Sequence, residues 1–370
     1  MSKRKHAEVI KSGKSKAQRT DSQSTMSPEE ENVAIASNML MHTASPKTMY
    51  SDEVDNGIWL FDVLNTIGVN EVYRKVRQQQ GIIGEILESF QEPITTLNMG
   101  STFEGTDSPG EPSDMDVMRC DESFSVIEDM ANATEKDGIL STLLIVRELH
   151  TPPGYVKLQL VNGETLYTSK HWTMLSRKRN MNVFKIDREE RIVLSDHLLS
   201  GNPEVFKRTK NKPADVTVGK FAHLKTDIVF SYRCKSWPTI ANEWLYRYRL
   251  YGWPSKDTIE ELKSLGFFVV RKGHPFSPEN DLEWRISLSL QERQLMFNLT
   301  DVQHKCYVVL KMLNRDVINF DCITTYHWKT CLFYAIEENN GNIWEKKTSM
   351  VLHKVVYQKN GEMDQMWILS

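Results

Sequence analysis

The chain has 370 residues, a formal charge of −3 from 46 basic and 49 acidic side chains, and 40% apolar residues. That balance excludes a mainly disordered chain and allows two domains or one large bilobal one. No apolar run approaches the roughly 18 residues of a membrane helix and the N-terminus is too polar for a signal peptide, so the reading is a soluble, cytoplasmic protein with no membrane partner. The five cysteines, Cys120, Cys234, Cys306, Cys322 and Cys331, form no C-x-x-C pair. Neither a disulfide framework nor a zinc ribbon is expected, and buried thiols in a reducing compartment are the simpler account.

In chain order, residues 1–50 read as a disordered basic arm: Lys3, Arg4, Lys5, Lys11, Lys14, Lys16 and Arg19 crowd its start, and little apolar periodicity follows. Such an arm suits nucleic acid, an acidic partner or a nuclear import receptor, or is simply solvated; nuclear residence therefore stays open. From Trp59 to Phe90 helical spacing (Ile82, Ile83, Ile86, Leu87, Phe90) predicts one long helix carrying a basic stretch at Arg74, Lys75 and Arg77. A Gly/Pro/Ser-rich loop from Gly100 to Ser113 leads to a strand at Met115–Met118, another follows at Tyr155–Val161, and a helix is expected at Leu166–Arg179. Strands at Ala214–Val218 and Thr226–Phe230 suit a hairpin. After Trp237-Pro238 the pattern turns helical at Asn242–Tyr251, Ser255–Leu265, Leu290–Leu299, Gln303–Arg315 and Thr325–Glu338. The organisation expected is α+β: a mixed lobe over 51–237, a helical lobe over 238–345 and an atypical tail over 346–370.

The residues with the most chemistry are Asn98-Met-Gly100-Ser101-Thr-Phe-Glu104-Gly105 and Ser113-Asp114-Met-Asp116-Val-Met118. Carboxylates at i and i+2 of a strand leave one face and can hold Mg²⁺, which takes oxygen ligands from one or two carboxylates and from substrate phosphates. A Gly-Ser turn offers backbone N–H groups and a hydroxyl to a triphosphate. Asp227, in Thr226-Asp227-Ile-Val-Phe, is either a salt-bridged strand end or, if its strand lies beside Asp114–Asp116, a third metal carboxylate that helps deprotonate an attacking ribose hydroxyl.

At these residues the sequence resembles the nucleotidyltransferase superfamily. The match narrows to the cyclic GMP-AMP synthase and male-abnormal (Mab twenty-one) family, particularly the cGAS-like receptors, through Pro213-Ala214-Asp-Val-Thr217, Arg233-Cys-Lys-Ser-Trp237-Pro238, Gly252-Trp253-Pro254, Trp284-Arg285-Ile-Ser287-Leu-Ser289 and Tyr326-His-Trp-Lys329-Thr330. The resemblance runs from about residue 52 to 344. It implies a bilobal nucleotidyltransferase fold with a mixed α/β catalytic lobe, a long spine helix and a helical C-terminal lobe. It assigns Gly100 and Ser101 to triphosphate, Asp114, Asp116 and Asp227 to Mg²⁺ or Mn²⁺ and catalysis, Arg285, Ser287 and Ser289 to a nucleobase, Tyr326 with Thr325 to base stacking, and Lys311 to phosphate. Without the resemblance, Trp284–Ser289 reads as a half-buried strand and Tyr326 as a core tyrosine.

The implied activity is Mg-dependent synthesis of a cyclic dinucleotide from ATP and a second nucleoside triphosphate on sensing double-stranded nucleic acid, RNA before DNA, in innate immune signalling. No zinc is expected: only His304 and Cys306 fall where the vertebrate synthase has its zinc insertion. The chain also departs from the family after Trp344, where further helices are usual. Candidate duplex-binding residues are Arg74, Lys75 and Arg77, and Lys170, Arg177, Lys178 and Arg179, although such clusters are commonly solvated faces. The alternative is a catalytically silent nucleic-acid-binding or protein-binding developmental factor; a third reading is template-free nucleotide addition to an RNA end.

Overall fold

The computed structural model describes residues 46–90, 94–107, 115–134, 141–149, 151–178, 181–196, 215–218, 225–318, 323–348 and 356, with side chains from residue 56 onward except at 215–218 and 225. The arm over 1–45, Asp114, Arg179 and nearly all of the tail lie outside the described residues. The chain divides into two compact units, 1–51 and 52–370, and the second is the subject below. Among the described residues no helix is long and apolar enough to cross a membrane.

The expected single long helix is two, α1 (Pro46–Thr66) and α2 (Glu71–Glu88). The break is local chemistry: Asn70 sits in extended backbone and its side chain accepts from the Tyr73 N–H, satisfying a donor that a continuous helix would have bonded internally. Gly81 on α2 lies against the Phe103 ring, where a Cβ would come within 2.4 Å, so the helix passes close to the turn that follows the first strand.

One twelve-stranded sheet organises the described residues: β1 (Ile94–Met99), β2 (Met115–Asp121), β3 (Ser125–Ile127), β4 (Thr142–Val146), β5 (Tyr155–Asn162), β6 (Thr165–Leu166), β7 (Phe184–Ile186), β8 (Ile192–Leu194), β9 (Asp215–Val218), β10 (Lys225–Cys234), β11 (Phe267–Val270) and β12 (Trp284–Ser287). Its main path runs β1-β2-β10-β11-β12-β5-β4-β3, with β9 hydrogen-bonded to β10 as the predicted hairpin. All four residues of β11 are buried. Phe267 and Val269 enter a core with Val156, Leu158 and Trp284, while Phe268 and Val270 enter another with Met99, Met118 and Leu290. The two-residue period of a strand covered on both faces explains that division.

The helix expected at Leu166–Arg179 is a short strand, a 3₁₀ turn at Ser169–His171 and the single turn α4 (Trp172–Leu175). Sheet pairing outcompetes helix here: β6 joins β5, Thr168 bridges Arg191, and His171 Nδ1 turns back to the Thr168 N–H at 3.1 Å.

Beyond the sheet come α5 (Asn242–Tyr246), α6 (Lys256–Ser264), α7 (Ser289–Phe297), α8 (Asp301–Leu313) and α9 (Thr325–Glu338). α5 stops short of the expected Tyr251 because Arg249 stacks on the Trp244 ring at 4.6 Å and donates to the Trp244 carbonyl at 2.7 Å, taking an acceptor that further helix would use. Trp328, Leu332, Ala335, Tyr307 and Leu310 close the helical core, and a Thr300–Gln303 capping box starts α8.

Candidate active site

β1 ends at Met99, the chain turns through Gly100 at φ 78°, and a five-residue helix, α3 (Gly100–Glu104), closes on Gly105 at φ 69°. Only glycine suits Gly100 on two counts. Its φ is left-handed, and a Cβ there would stand 1.9 Å from Asp116 Oδ2. The backbone of the turn is thus pressed directly onto a carboxylate.

Strand register places the acids. β1 is antiparallel to β2 with Met99 opposite Asp116, and β2 is parallel to β10 with Asp116 opposite Asp227. Partnered residues in a pleated pair leave the same face, so the Asp116 and Asp227 carboxylates stand side by side. On that face Met118 and Val229, partners two residues further on, lead into the core behind the acids.

The cleft in front of Asp116 has a volume of about 240 Å³, and its walls include Gly100, Glu104, Arg285, Ser287, Ser289, Glu292 and Lys329. Arg285 and Ser287 arrive on β12, whose partner is β11. Ser287 and Ser289 share a hydrogen bond of 2.6 Å that fixes the bend from β12 into α7. Arg285 is exposed, so its fork of donors faces open space.

α8 reaches the turn from the other side. Lys311 Nζ donates to Ser101 Oγ and to the Thr106 carbonyl, both at 2.8 Å, and burial holds its pKa down at about 8. His304, two turns earlier on α8, meets the Gly105 carbonyl through Nε2 at 2.9 Å, and burial pushes its pKa down to about 3, which keeps the ring neutral. Lys329 on α9 donates to Glu104 at 2.7 Å; burial opposes its charge, yet Glu104 wins and holds the ammonium above its ordinary range. Burial raises the Glu292 carboxyl in turn. Tyr326 is 55% exposed at the start of α9 beside Thr325, which is also exposed.

Glu104, Glu292 and Lys329 escaped assignment. Glu104 stands in the Asn98–Gly105 stretch and Lys329 in Tyr326–Thr330, and Glu292 follows Ser289 by three residues on α7; helical spacing was the signal for it.

The proposed duplex surface needs correction. Arg74 is buried, 5% exposed, and its guanidinium donates to the Leu299 carbonyl at 3.0 Å, with its Cα 2.8 Å from where a Gly105 Cβ would lie. It ties α2 to the helical region because the inward face of α2 covers the turn, so it is no phosphate ligand. Lys75 is exposed and paired with Glu71 at 2.6 Å, and Arg77 lies 3.5 Å from Asp107. Around them α2 exposes Val72, Val76, Ile83 and Leu87. Lys170, Arg177 and Lys178 are exposed.

A second acidic group, Glu148, Asp187 and Glu189, has ligand atoms within 4.8 Å of one another. Its cation is already supplied by protein: Lys157 Nζ lies 3.0 Å from Glu148 and 3.4 Å from Asp187, and Arg191 lies 2.6 Å from Asp187. This is an ion-pair network beneath β5 rather than a metal seat.

Residues 138–298 match the family model of the Mab-21 protein nucleotidyltransferase domain. The matched span contains Asp227, Arg285, Ser287, Ser289 and Glu292, and leaves Gly100, Ser101, Asp116, Lys311 and Tyr326 outside it. No curated protein matches the chain.

Proposed function

We propose that the chain, whose residues 138–298 match the Mab-21 protein nucleotidyltransferase domain, is a divalent-metal-dependent enzyme of that family that makes a cyclic dinucleotide from ATP and a second nucleoside triphosphate. The observation that carries this reading is the Asp116–Asp227 pair in direct register, with the Gly100 backbone against it. The donor set fits Mg²⁺ or Mn²⁺: it offers carboxylate oxygens only, beside a turn whose glycine lets the Asp116 carboxylate lie against the backbone. When bound, the ion supplies neutralisation of charge on the phosphate oxygens.

The chain's own groups divide the remaining work. Ser101 and Lys311 hold the triphosphate tail, while Arg285, Ser287, Ser289 and Glu292 face the base and Tyr326 stacks on it. A ribose hydroxyl of one nucleotide forms a new P–O bond to the α-phosphorus of the other. The bond to the β-phosphate oxygen breaks, pyrophosphate leaves, and the hydroxyl proton passes to the Asp227 carboxylate. A second round between the ends of the linear product closes the ring.

Duplex nucleic acid, RNA in preference to DNA, is the proposed activator, at the exposed Lys170, Arg177 and Lys178. Such an activity belongs to innate immune signalling. One observation favours a second reading, a protein-binding factor without catalysis: α2 turns apolar side chains outward where duplex-binding cations were expected. The decisive assay incubates the full chain with labelled ATP and GTP, Mg²⁺ or Mn²⁺, with and without duplex RNA, and resolves products by chromatography. A pyrophosphate-releasing dinucleotide product supports the enzyme; none with either metal, with or without duplex, supports the binding factor.

A further inference from the structure

The helix α2 has two unlike faces. Its buried residues, Arg74 and Gly81, stand two turns apart on one line of the helix, and that line meets the rest of the protein. Gly81 lies against the Phe103 ring of α3, and on the same side Glu85 accepts from the Asn98 N–H at 2.6 Å. The opposite face is open. Val72, Val76, Gln79, Ile83, Ile86 and Phe90 are all exposed, and they follow one another at alternating intervals of four and three residues. That is the a/d period of a coiled-coil seam, with Gln79 the one polar position in it.

The exposure is large: Val72 is 73% and Phe90 80% open, and Ile82 and Leu87 beside the seam are exposed as well. Together these side chains offer on the order of 700 Å² of apolar surface, above the few hundred Å² usual on a monomer and close to the ~800 Å² that each partner gives to a standard interface. Charge disfavours other occupants. The three cations of α2 are engaged, Arg74 inside with the Leu299 carbonyl, Lys75 with Glu71 and Arg77 with Asp107. Neither nucleic-acid phosphate nor an anionic lipid surface finds along this face the row of cations that it needs.

We propose that two copies of this chain pair through the outer faces of α2, antiparallel about a two-fold axis beside Gly81. The seam is complementary to itself in that register. Val72 of one copy meets Phe90 of the other and Val76 meets Ile86, so each smaller side chain faces a larger one. Gln79 falls next to the axis, where a single polar residue in an apolar seam fixes register at some cost in stability. A two-fold interface uses one patch twice, so this face needs no second surface elsewhere on the molecule. The inner face of the same helix braces the end of β1 and the turn of the candidate active site through Glu85 and Gly81, so pairing fastens the support of that turn. A second copy also accounts for the outward apolar residues without giving up catalysis, and it is read without ATP, metal or turnover.

Sedimentation velocity of the full chain, treated with nuclease so that no duplex bridges copies, tests the pairing. A dimer should dominate at micromolar concentration, and the melting temperature should rise with protein concentration. Ile83→Lys places a charge at an exposed seam position near the axis. It should weaken the dimer roughly 100-fold or more, since each dimer would bury that charge twice, while circular dichroism stays unchanged and melting loses its concentration dependence. Leu149→Lys, at a fully exposed leucine on the β4–β5 connection, should leave the dimer intact. Val76→Cys combined with Ile86→Cys should cross-link copies on oxidation, whereas Val76→Cys alone should not, because the antiparallel register sets the two Val76 positions about 15 Å apart along the helices. A monomer at high micromolar concentration, a dimer that survives in folded Ile83→Lys protein, or cross-linking through Val76→Cys alone would each overturn the proposal.

Discussion

Asp116 on β2 and Asp227 on β10 are direct partners in a parallel strand pair, so two carboxylates from residues more than a hundred positions apart share one face of the sheet. Like charges placed opposite each other destabilise a sheet unless something between them is positive. A divalent cation held between the two carboxylates would offset that repulsion.

Asp116→Asn removes one negative charge with little change of volume. Nucleotide transfer should fall at least ~100-fold, because several kcal/mol of charge stabilisation is at stake. The melting temperature should hold or rise slightly. Near-normal product from a folded variant would count against the catalytic reading.

Gly100→Ala tests the turn. A non-glycine residue at φ 78° costs about 1–3 kcal/mol, and the new methyl would collide with Asp116 Oδ2. Both stability and transfer should drop, the melting temperature by several degrees. A variant that melts normally and turns over normally would show that the turn does not touch the acid in solution.

Lys311 gives a pH signature. Its pKa, held near 8 by burial, means that the cation beside Ser101 is lost as pH climbs from 7 to 9. Affinity for ATP without turnover should decline across that window and be flat below it. Lys311→Arg, which stays charged, should remove the inflection. Equilibrium binding of ATP at half-unit pH intervals checks this.

His304 predicts acid sensitivity of the fold. The unfolded chain binds a proton near the ordinary histidine value of about 6.5, whereas the folded ring takes one only near pH 3. Between those values the unfolded state holds more protons, so stability is complete above 6.5 and decreases as pH falls, by about 2 kcal/mol at pH 5. Urea denaturation at pH 7 and pH 5 should show the loss. In His304→Gln, whose amide can donate to the Gly105 carbonyl, that share of it should vanish.

The basic residues of α2 should separate. Arg74→Glu buries an unpaired acid against the Leu299 carbonyl and should cost about 3–5 kcal/mol of stability. Lys75→Glu and Arg77→Glu should leave the fold nearly unaffected. If duplex RNA binds through Lys170, Arg177 and Lys178, reversing those three should lower affinity and flatten its salt dependence, since each phosphate contact adds to the salt slope. An unchanged slope would place the duplex elsewhere.

The sequence alone determined what depends on near neighbours. The period of Thr325–Glu338 matches α9 to the residue, the Thr226–Phe230 run lies inside β10, and the β9–β10 hairpin follows from short separation. Glycine at 100 was readable as a tight turn because backbone freedom belongs to the residue itself. Even local reasoning failed where partners came from afar: Leu166–Arg179 has helical composition, but strand partners claimed its start. Arg74 looked like surface charge because α2 exposes apolar residues and buries this cation, an inversion set by the carbonyls of Leu299 and Thr300 rather than by periodicity. Only tertiary structure decided the register that sets Asp116 against Asp227 and the reach of Lys311 to Ser101. Hydrogen bonding between distant strands and the closure of a cavity depend on which surfaces meet, and composition and spacing carry no record of that.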